Sequence, residues 1–412
     1  FYLPFRGYKG AEVLGDRDIH EGRNPTPDVP YASPLIIPQW RVEEILRKLL
    51  SSYGAQVELG TELVDFTQNG DGVEATLVKA GVSEHLHVSY LIGADGGRSF
   101  VRGHLGVGFE GETWANERML VGDVKVDALD RDHWHSWPNP ELGWLALCPL
   151  PATDSFQFQA QIGPDEPDKP TLERFQQIVD ERTGGMGLRL HDATWLSLYR
   201  ANIRMVDRYR VGRVFLAGDS AHVHSPAGGQ GMNTGIQDSY NLGWKLGNVL
   251  AGAPEKLLET YEEERLPVAA EMVGITSRLH RSAEFKRGPE TLQLGINYRE
   301  SSLSRDERQA PGNLRAGDRA PDATCHDAAG KSIRLFDLFR GPHFTLLSFP
   351  SPSIVDTDGH VHRAYGVEPG TLVLVRPDGY IGLITKDPAS VHEYLTAGRP
   401  ASPAPDVPVR RS

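Results

Sequence analysis

The stretch Leu216–Gly235, LAGDSAHVHSPAGGQGMNTG, holds five glycines, two histidines and a single carboxylate. The run Val214-Phe215-Leu216-Ala217 before it is short, apolar and strand-like. Gly218-Asp219 therefore falls at the carboxyl end of a buried strand, where open α/β sheets bind ligands. A carboxylate there can accept hydrogen bonds from sugar or polyol hydroxyls. Gly228, Gly229 and Gly231 allow the backbone to approach a flat ligand that a Cβ would push away. The pattern predicts a helix from about Met232 to Leu250, stopping at Gly252, with its N-terminal amides aimed at the same place. Gly235, Ser239, Gly243 and Gly247 recur every four residues, a small stripe expected to bring this helix close to the sheet.

Bulk properties bound the classes of function. With 412 residues the chain is long enough for two or three domains. Its formal charge of −12, with no basic run before Arg410-Arg411, argues against a nucleic acid or an anionic membrane as partner. Cys148 and Cys325 are the only cysteines, which leaves no disulfide framework and fits a reducing cytoplasm. No apolar run approaches membrane-spanning length.

Working outward, Gln39–Ser52 reads as a helix with Val42, Ile45, Leu46, Leu49 and Leu50 on one face. Strand signals follow at 56–59, 62–68, 73–78 and 85–92, with a turn at Asn69-Gly70-Asp71-Gly72. The last of these runs into Gly93-Ala94-Asp95-Gly96-Gly97. Met119 to Ile162 is rich in short strand signals and predicts an inserted, mostly antiparallel sheet. The charged stretch Arg281–Arg308 reads as a connector, and Pro311-Gly312 marks a boundary. Beyond it, strands at 344–349, 371–375 and 380–384 and a helix at 390–396 form a small α/β unit.

A ligand with hydroxyls, a planar face and developing negative charge suits the glycine-rich stretch, and the reduced isoalloxazine of a flavin has all three. Packing alone explains the small stripe but not a carboxylate at the strand end. The stretch resembles the GD motif of flavin-dependent aromatic hydroxylases, the para-hydroxybenzoate hydroxylase-like monooxygenases. Asp95-Gly96-Gly97-Arg98-Ser99-Phe100-Val101-Arg102 is similar to the DG motif of the same family, and Gln39 resembles its FAD-contacting glutamine. The segments LQLGINY (292–298) and LRAGDRAPD (314–322) look like the junction to a thioredoxin-like domain found in phenol and polyketide hydroxylases. Pro350-Ser351-Pro352-Ser353 stands where redox cysteines would sit, which excludes dithiol chemistry.

The resemblance implies an α/β (α+β) fold: a Rossmann-like FAD-binding domain with an inserted antiparallel substrate sheet, and the thioredoxin-like domain. Boundaries are expected at 1–112 and 206–285 for the two parts of the FAD-binding domain, 113–205 for the substrate sheet, 286–312 for the connector and 313–412 for the last domain. It implies FAD and NAD(P)H as cofactors, with O2 and an aromatic small molecule as partners. The chemistry implied is hydroxylation of a phenolic or polycyclic, polyketide-like ring through a flavin C4a-hydroperoxide. Cofactor contacts are expected from Gln39, Asp95, Gly96, Arg98, Gly218, Asp219, Pro226, Gly228, Gly229, Gly231, Met232 and Asn233. Trp144, Phe158 and His224 are the named substrate candidates, with Phe156 and Trp195 weighed beside them as walls or plain core.

Baeyer–Villiger oxygen insertion would use the same motifs, and a homo-oligomer stays open. A halogenase is disfavoured by the lack of Trp-x-Trp-x-x-Ile, and a non-catalytic adaptor leaves most of the chain unexplained. His222-x-His224 could ligate a metal from one strand face, but no third ligand is evident, so no metal is expected. The family's opening βαβ unit, with its Gly-x-Gly-x-x-Gly, has no counterpart before Gln39; Gly106–Gly111 matches formally but lacks the strand and helix around it. The chain is therefore expected to lack that unit and, without it, to hold FAD weakly.

Overall fold

A computed structural model describes residues 3–18, 24–32, 35–224, 229–282, 292–351 and 354–396. It is a mixed helix and sheet protein of the class expected. Its largest element is an eight-stranded sheet. The long strands Glu110–Asp127 and Arg189–Met205 pair antiparallel toward one side of it, with the short strand His222–Val223 at the edge beyond Arg189–Met205. Strands Phe156–Ile162, Leu145–Pro149 and Trp134–Trp137 continue it in turn. Alternation decides which side of this sheet is dry. Phe156, Phe158, Ala160 and Ile162 all point one way, with Leu120 and Val124, into a core covered by Phe175, Ile178 and Val179 of helix Leu172–Arg182.

Phe5–Lys9 and Glu12–Arg17 form a hairpin on the far edge of the same sheet, with Phe5–Lys9 running parallel to Trp134–Trp137. These residues thus depart from the boundary expected at 112. Long-range side-chain contacts seal the pairing: Tyr8 stacks on Trp137 at 4.6 Å and its hydroxyl meets His135 Nδ1 at 2.8 Å. Arg6 bonds both Asp16 and Asp130.

A second, smaller body carries the two glycine-rich motifs. Strand Leu91–Gly93 lies parallel to Val214–Leu216, which also pairs with Arg210–Val211. Helices Gly231–Leu250 and Glu259–Ser282 pack behind them, and an antiparallel meander, Thr61–Gln68, Val73–Lys79 and Val82–Val88, stands beside them. The strand read at 85–92 is therefore two, broken before Leu91, and 56–59 forms no strand. Gly106–Gly108 turns the chain into strand Glu110–Asp127. Helix Gln39–Ser52 forms as read, but Ile45, Leu46 and Leu49 of its apolar face are about half exposed. The stripe on helix Gly231–Leu250 also differs: Ser239, Gly243 and Gly247 face outward, and only Gly235 comes close to the motif turn. The buried face of that helix is mixed instead: Thr234, Asp238, Asn241 and Lys245 are buried along with Leu242, Trp244 and Leu246.

The C-terminal unit begins earlier than the expected 313, because Arg305–Asp306 pairs with Ile381–Thr385 in its four-stranded sheet. The proline-serine segment follows strand Thr345–Ser348, with Pro352 and Ser353 outside the described residues. A buried charge cluster joins this unit to the motif body. Glu264 accepts hydrogen bonds from Lys245 Nζ (2.7 Å), Asn241 Nδ2 (2.7 Å), Ser301 Oγ (2.7 Å) and both terminal nitrogens of Arg376 (2.6 and 2.9 Å). Burial opposes ionisation of Glu264, but Arg376 and Lys245 outweigh it and hold the carboxyl well below its usual range. Removing one member of such a cluster leaves buried charge unpaired. Glu264→Ala is accordingly expected to lower unfolding stability by about 3–5 kcal/mol. Urea titration read by circular dichroism checks this, and an unchanged midpoint contradicts it.

Candidate functional site

Two segments far apart in sequence leave the small parallel sheet at the same level. Leu216 lies opposite Gly93, and the Ala217 N–H donates to the Gly93 carbonyl at 3.0 Å. The Ser220 hydroxyl donates to the same carbonyl and accepts from the Ala217 N–H at 3.1 Å. Arg102 then ties the turns together. Its guanidinium donates to Ser220 O at 2.9 Å and Gly97 O at 2.8 Å while resting 3.8 Å over the Phe109 ring. A Cβ on Gly97 would lie 3.3 Å from Val223, so this turn touches the strand that follows the other motif.

Asp95 spends its carboxylate within its own turn, accepting from the Ser99 hydroxyl and the Val101 N–H at 3.0 Å. Ser99 in turn caps helix Phe100–His104 by accepting from the Arg102 N–H. Asp95 was read as a ligand contact; the geometry makes it first of all the organiser of this turn. Gly96, at φ +80°, has nothing within 4 Å of where a Cβ would be, and Arg98 is exposed beside it. Gln39 is exposed in the first turn of its helix, bonded to Glu43 at 3.0 Å. Among the described residues no hydrogen bond joins it to either motif.

The Gly218-Asp219 turn is held from behind. Gly218 sits at φ +62°, a conformation that favours glycine, and its N–H donates to Asp238 Oδ2 at 3.0 Å. His222 Nε2 donates to the same oxygen at 2.7 Å, and Arg265 Nε to Oδ1 at 2.7 Å. Arg265 continues to the Tyr298 hydroxyl at 2.9 Å. Burial alone would raise the Asp238 pKa, but His222 and Arg265 bring it below its ordinary value. Asp219 stands on the outer side of this turn with no hydrogen bond among the described residues, and burial raises its pKa. A carboxylate with free lone pairs at a strand end is an acceptor for ligand hydroxyls.

Helix Gly231–Leu250 starts a few ångströms away. A Cβ on Gly235 would meet Gly218 Cα at 3.2 Å, so helix and turn touch through their glycines. Among the described residues no side chain caps the helix, its first turn holds no acidic residue, and Met232 and Asn233 are exposed there. The first amides of a helix have no acceptor within it, and its N-terminal end favours an anionic group. Gly229 has φ +65°, and among the described residues a Cβ on Gly231 would meet only His224 Cε1, at an ordinary 3.7 Å. Pro226 and Gly228 lie outside the described residues.

The substrate candidates divide. Phe158 is fully buried and stacked on Phe175 at 4.2 Å, so it is core and not a wall; Phe156 is core with it. Strand alternation puts both on the helix-covered side. His224 is 8 % exposed, its ring stacked at 5.5 Å on that of His222. It lies beneath the turn, not open on a surface. Trp144 is half-buried at the start of strand Leu145–Pro149, and Trp195 is half exposed on the face opposite the core. Tyr199 lies on that same face, and its hydroxyl donates to the His224 carbonyl at 3.3 Å. Asp238, Arg265, Arg102 and Tyr199 were not singled out from sequence. A charged residue on a buried helix face runs against hydrophobic periodicity, and only Arg102 lay inside a quoted motif.

Comparison with known proteins agrees with this geometry. A family model described as an FAD binding domain matches residues 12–276. A flavin-dependent monooxygenase of Mycobacteroides abscessus is 48% identical over 406 residues, spanning 95% of this chain and 85% of that protein. The 6-methylpretetramide 4-monooxygenase of Streptomyces rimosus is 32% identical, over 88% of this chain and 75% of its own. Among solved structures, aklavinone-11 hydroxylase in complex with FAD and aklavinone superposes with a TM-score of 0.80 at 26% identity, over 95% of this chain and 84% of that one.

The stacked histidines give the site a pH signature. Burial, helped by His222, pushes the His224 pKa from 6.5 down to about 4. Between those values the unfolded chain takes up a proton that the fold excludes, so stability falls as pH drops through this window. His224→Asn should flatten that part of the stability–pH curve, measured by urea unfolding from pH 7 to 4. Parallel curves for the two proteins contradict the assignment.

Proposed function

The chain belongs to the family of FAD-dependent aromatic monooxygenases, and on that basis we propose that it hydroxylates a phenolic ring of the polycyclic, polyketide-like class with NAD(P)H as reductant. The observation that carries this reading is the convergence of the two motif turns and an uncapped helix start at the carboxyl ends of paired parallel strands. Relatives named for 6-methylpretetramide and aklavinone support the substrate class.

The residues present fit FAD. Asp219 has acceptor capacity for the hydroxyls of a ribityl chain, and Gly96 and Gly231 leave room for a group against the backbone. When bound, FAD supplies the oxygen-activating chemistry, so the protein needs few catalytic side chains. Its own part is to orient and to exclude. The amides of Gly231, Met232 and Asn233 oppose negative charge on a planar ring, an effect worth about 0.3–1 kcal/mol for a helix end at the surface. Asp238 fixes the Gly218 N–H and so the aim of Asp219. Arg102 keeps the Asp95–Arg98 turn level with it, and the exposed Arg98 cation would be available to the pyrophosphate. The roles of Gln39, Pro226 and Gly228 rest on the family resemblance.

Two substitutions test the proposal together. Asp219→Ala removes a charged acceptor and is expected to weaken FAD binding roughly tenfold to a hundredfold. Gly231→Val should also weaken it, by steric exclusion, while the melting temperature of the apo protein stays within a few degrees. Fluorescence titration with FAD and apo thermal melts give both readouts. A large fall in apo melting temperature for Gly231→Val with unchanged FAD affinity, or full affinity in Asp219→Ala, contradicts the site.

A further inference from the structure

The eight-stranded sheet has a second face, opposite its helix-covered core, on which Trp195 stands half exposed. Because Val124 and Phe156 point into the core, Asp123 and Gln157 point away from it, and they stand directly opposite each other on neighbouring strands. Trp195 is Asp123's partner on the other side. Ser197 and then Tyr199 follow Trp195 on the same face toward the Asp219 turn, where Tyr199 bonds the His224 carbonyl. At about 3.3 Å per residue, the four steps from Tyr199 to Trp195 make a track ~13 Å long.

Asp123 is the anomaly on this track. It is half-buried, yet no hydrogen bond or ion pair engages it among the described residues. The nearest cation on the face, Lys125, is held by Asp154 at 3.0 Å and Asp192 at 3.1 Å. Gln157 has its carbonyl taken by the Gln159 amide, which leaves its own NH2 free to donate. A carboxylate drawn partly out of water in mid-strand, with no partner among the described residues, carries a cost that a ligand donor would offset. Burial also raises its pKa, as expected where no cation offsets the loss of water.

We propose that Asp123 and Gln157 form the far end of the aromatic-binding face: Asp123 accepts a hydrogen bond from a hydroxyl on the ring remote from the flavin turn, Gln157 donates to an adjacent oxygen, and Trp195 stacks on the ring between. The ligand class is a flat molecule of three or four fused rings with polar groups at both ends. This rests on the function proposed above and adds the element that reads the length of the substrate and its distal hydroxyl.

The test is equilibrium binding to the whole chain, followed by tryptophan fluorescence, of 2,6-dihydroxyanthraquinone, which has a hydroxyl at each end, and 2-hydroxyanthraquinone, which has one. Wild type should prefer the diol by about tenfold, the size of one hydrogen bond to a charged acceptor. Asp123→Ala should bind the two equally, with Asp123→Asn keeping part of the preference. A variant that weakens both ligands alike and keeps the preference has only a damaged sheet, and overturns the assignment of Asp123. Failure of wild type to bind either compound instead overturns the polycyclic substrate class, and this subsite with it.

Discussion

The short parallel pairing of Leu91–Gly93 with Val214–Leu216 is the constraint on which the remainder depends. It sets two turns side by side that lie more than a hundred residues apart in the chain. Arg102 then locks their levels, since one guanidinium bonds the carbonyls of Gly97 and Ser220 at once. Neither glycine-rich turn is a site alone. Together they bring the Asp219 carboxylate and the start of helix Gly231–Leu250 to one edge of the sheet.

Holding that edge in place is the work of buried charge. The helix reaches the sheet through Asp238, which receives Gly218, His222 and Arg265 in one carboxylate. Further along, Asn241 and Lys245 meet Glu264 of helix Glu259–Ser282, which Arg376 of the C-terminal unit bonds as well. Such clusters stabilise less than apolar packing would, but they fix one register, because any slip strands an ion in the interior. The C-terminal unit thus takes part in placing the helix whose first turn borders the proposed cofactor site. That gives it a structural role without cysteines at 350–353.

What could be read from the sequence followed from local signals. Glycines with a strand before and a helix after located the Asp219 turn, and amphipathic spacing gave helix Gln39–Ser52 to the residue. The meander at 61–88 and the strands around Phe156 followed from alternation and the Asn69–Gly72 turn. What escaped was non-local or against pattern. Parallel pairing of Phe5–Lys9 with Trp134–Trp137 leaves no trace in either segment. The Gly-Ser-Gly-Gly stripe has the spacing of a packing face yet lies outward, because the helix buries its charged side. Phe158 and Trp195 are both strand aromatics, and only register tells which one meets the core.

The proposed cofactor site requires the two turns and the helix start to bind one ligand together. Hydrogen–deuterium exchange of the purified protein with and without FAD measures this directly. Amides of Gly96–Arg102, Gly218–Ser220 and Gly231–Thr234 should gain protection together, at the same FAD concentration. Protection confined to one of these segments, or found only in the C-terminal unit, would contradict it.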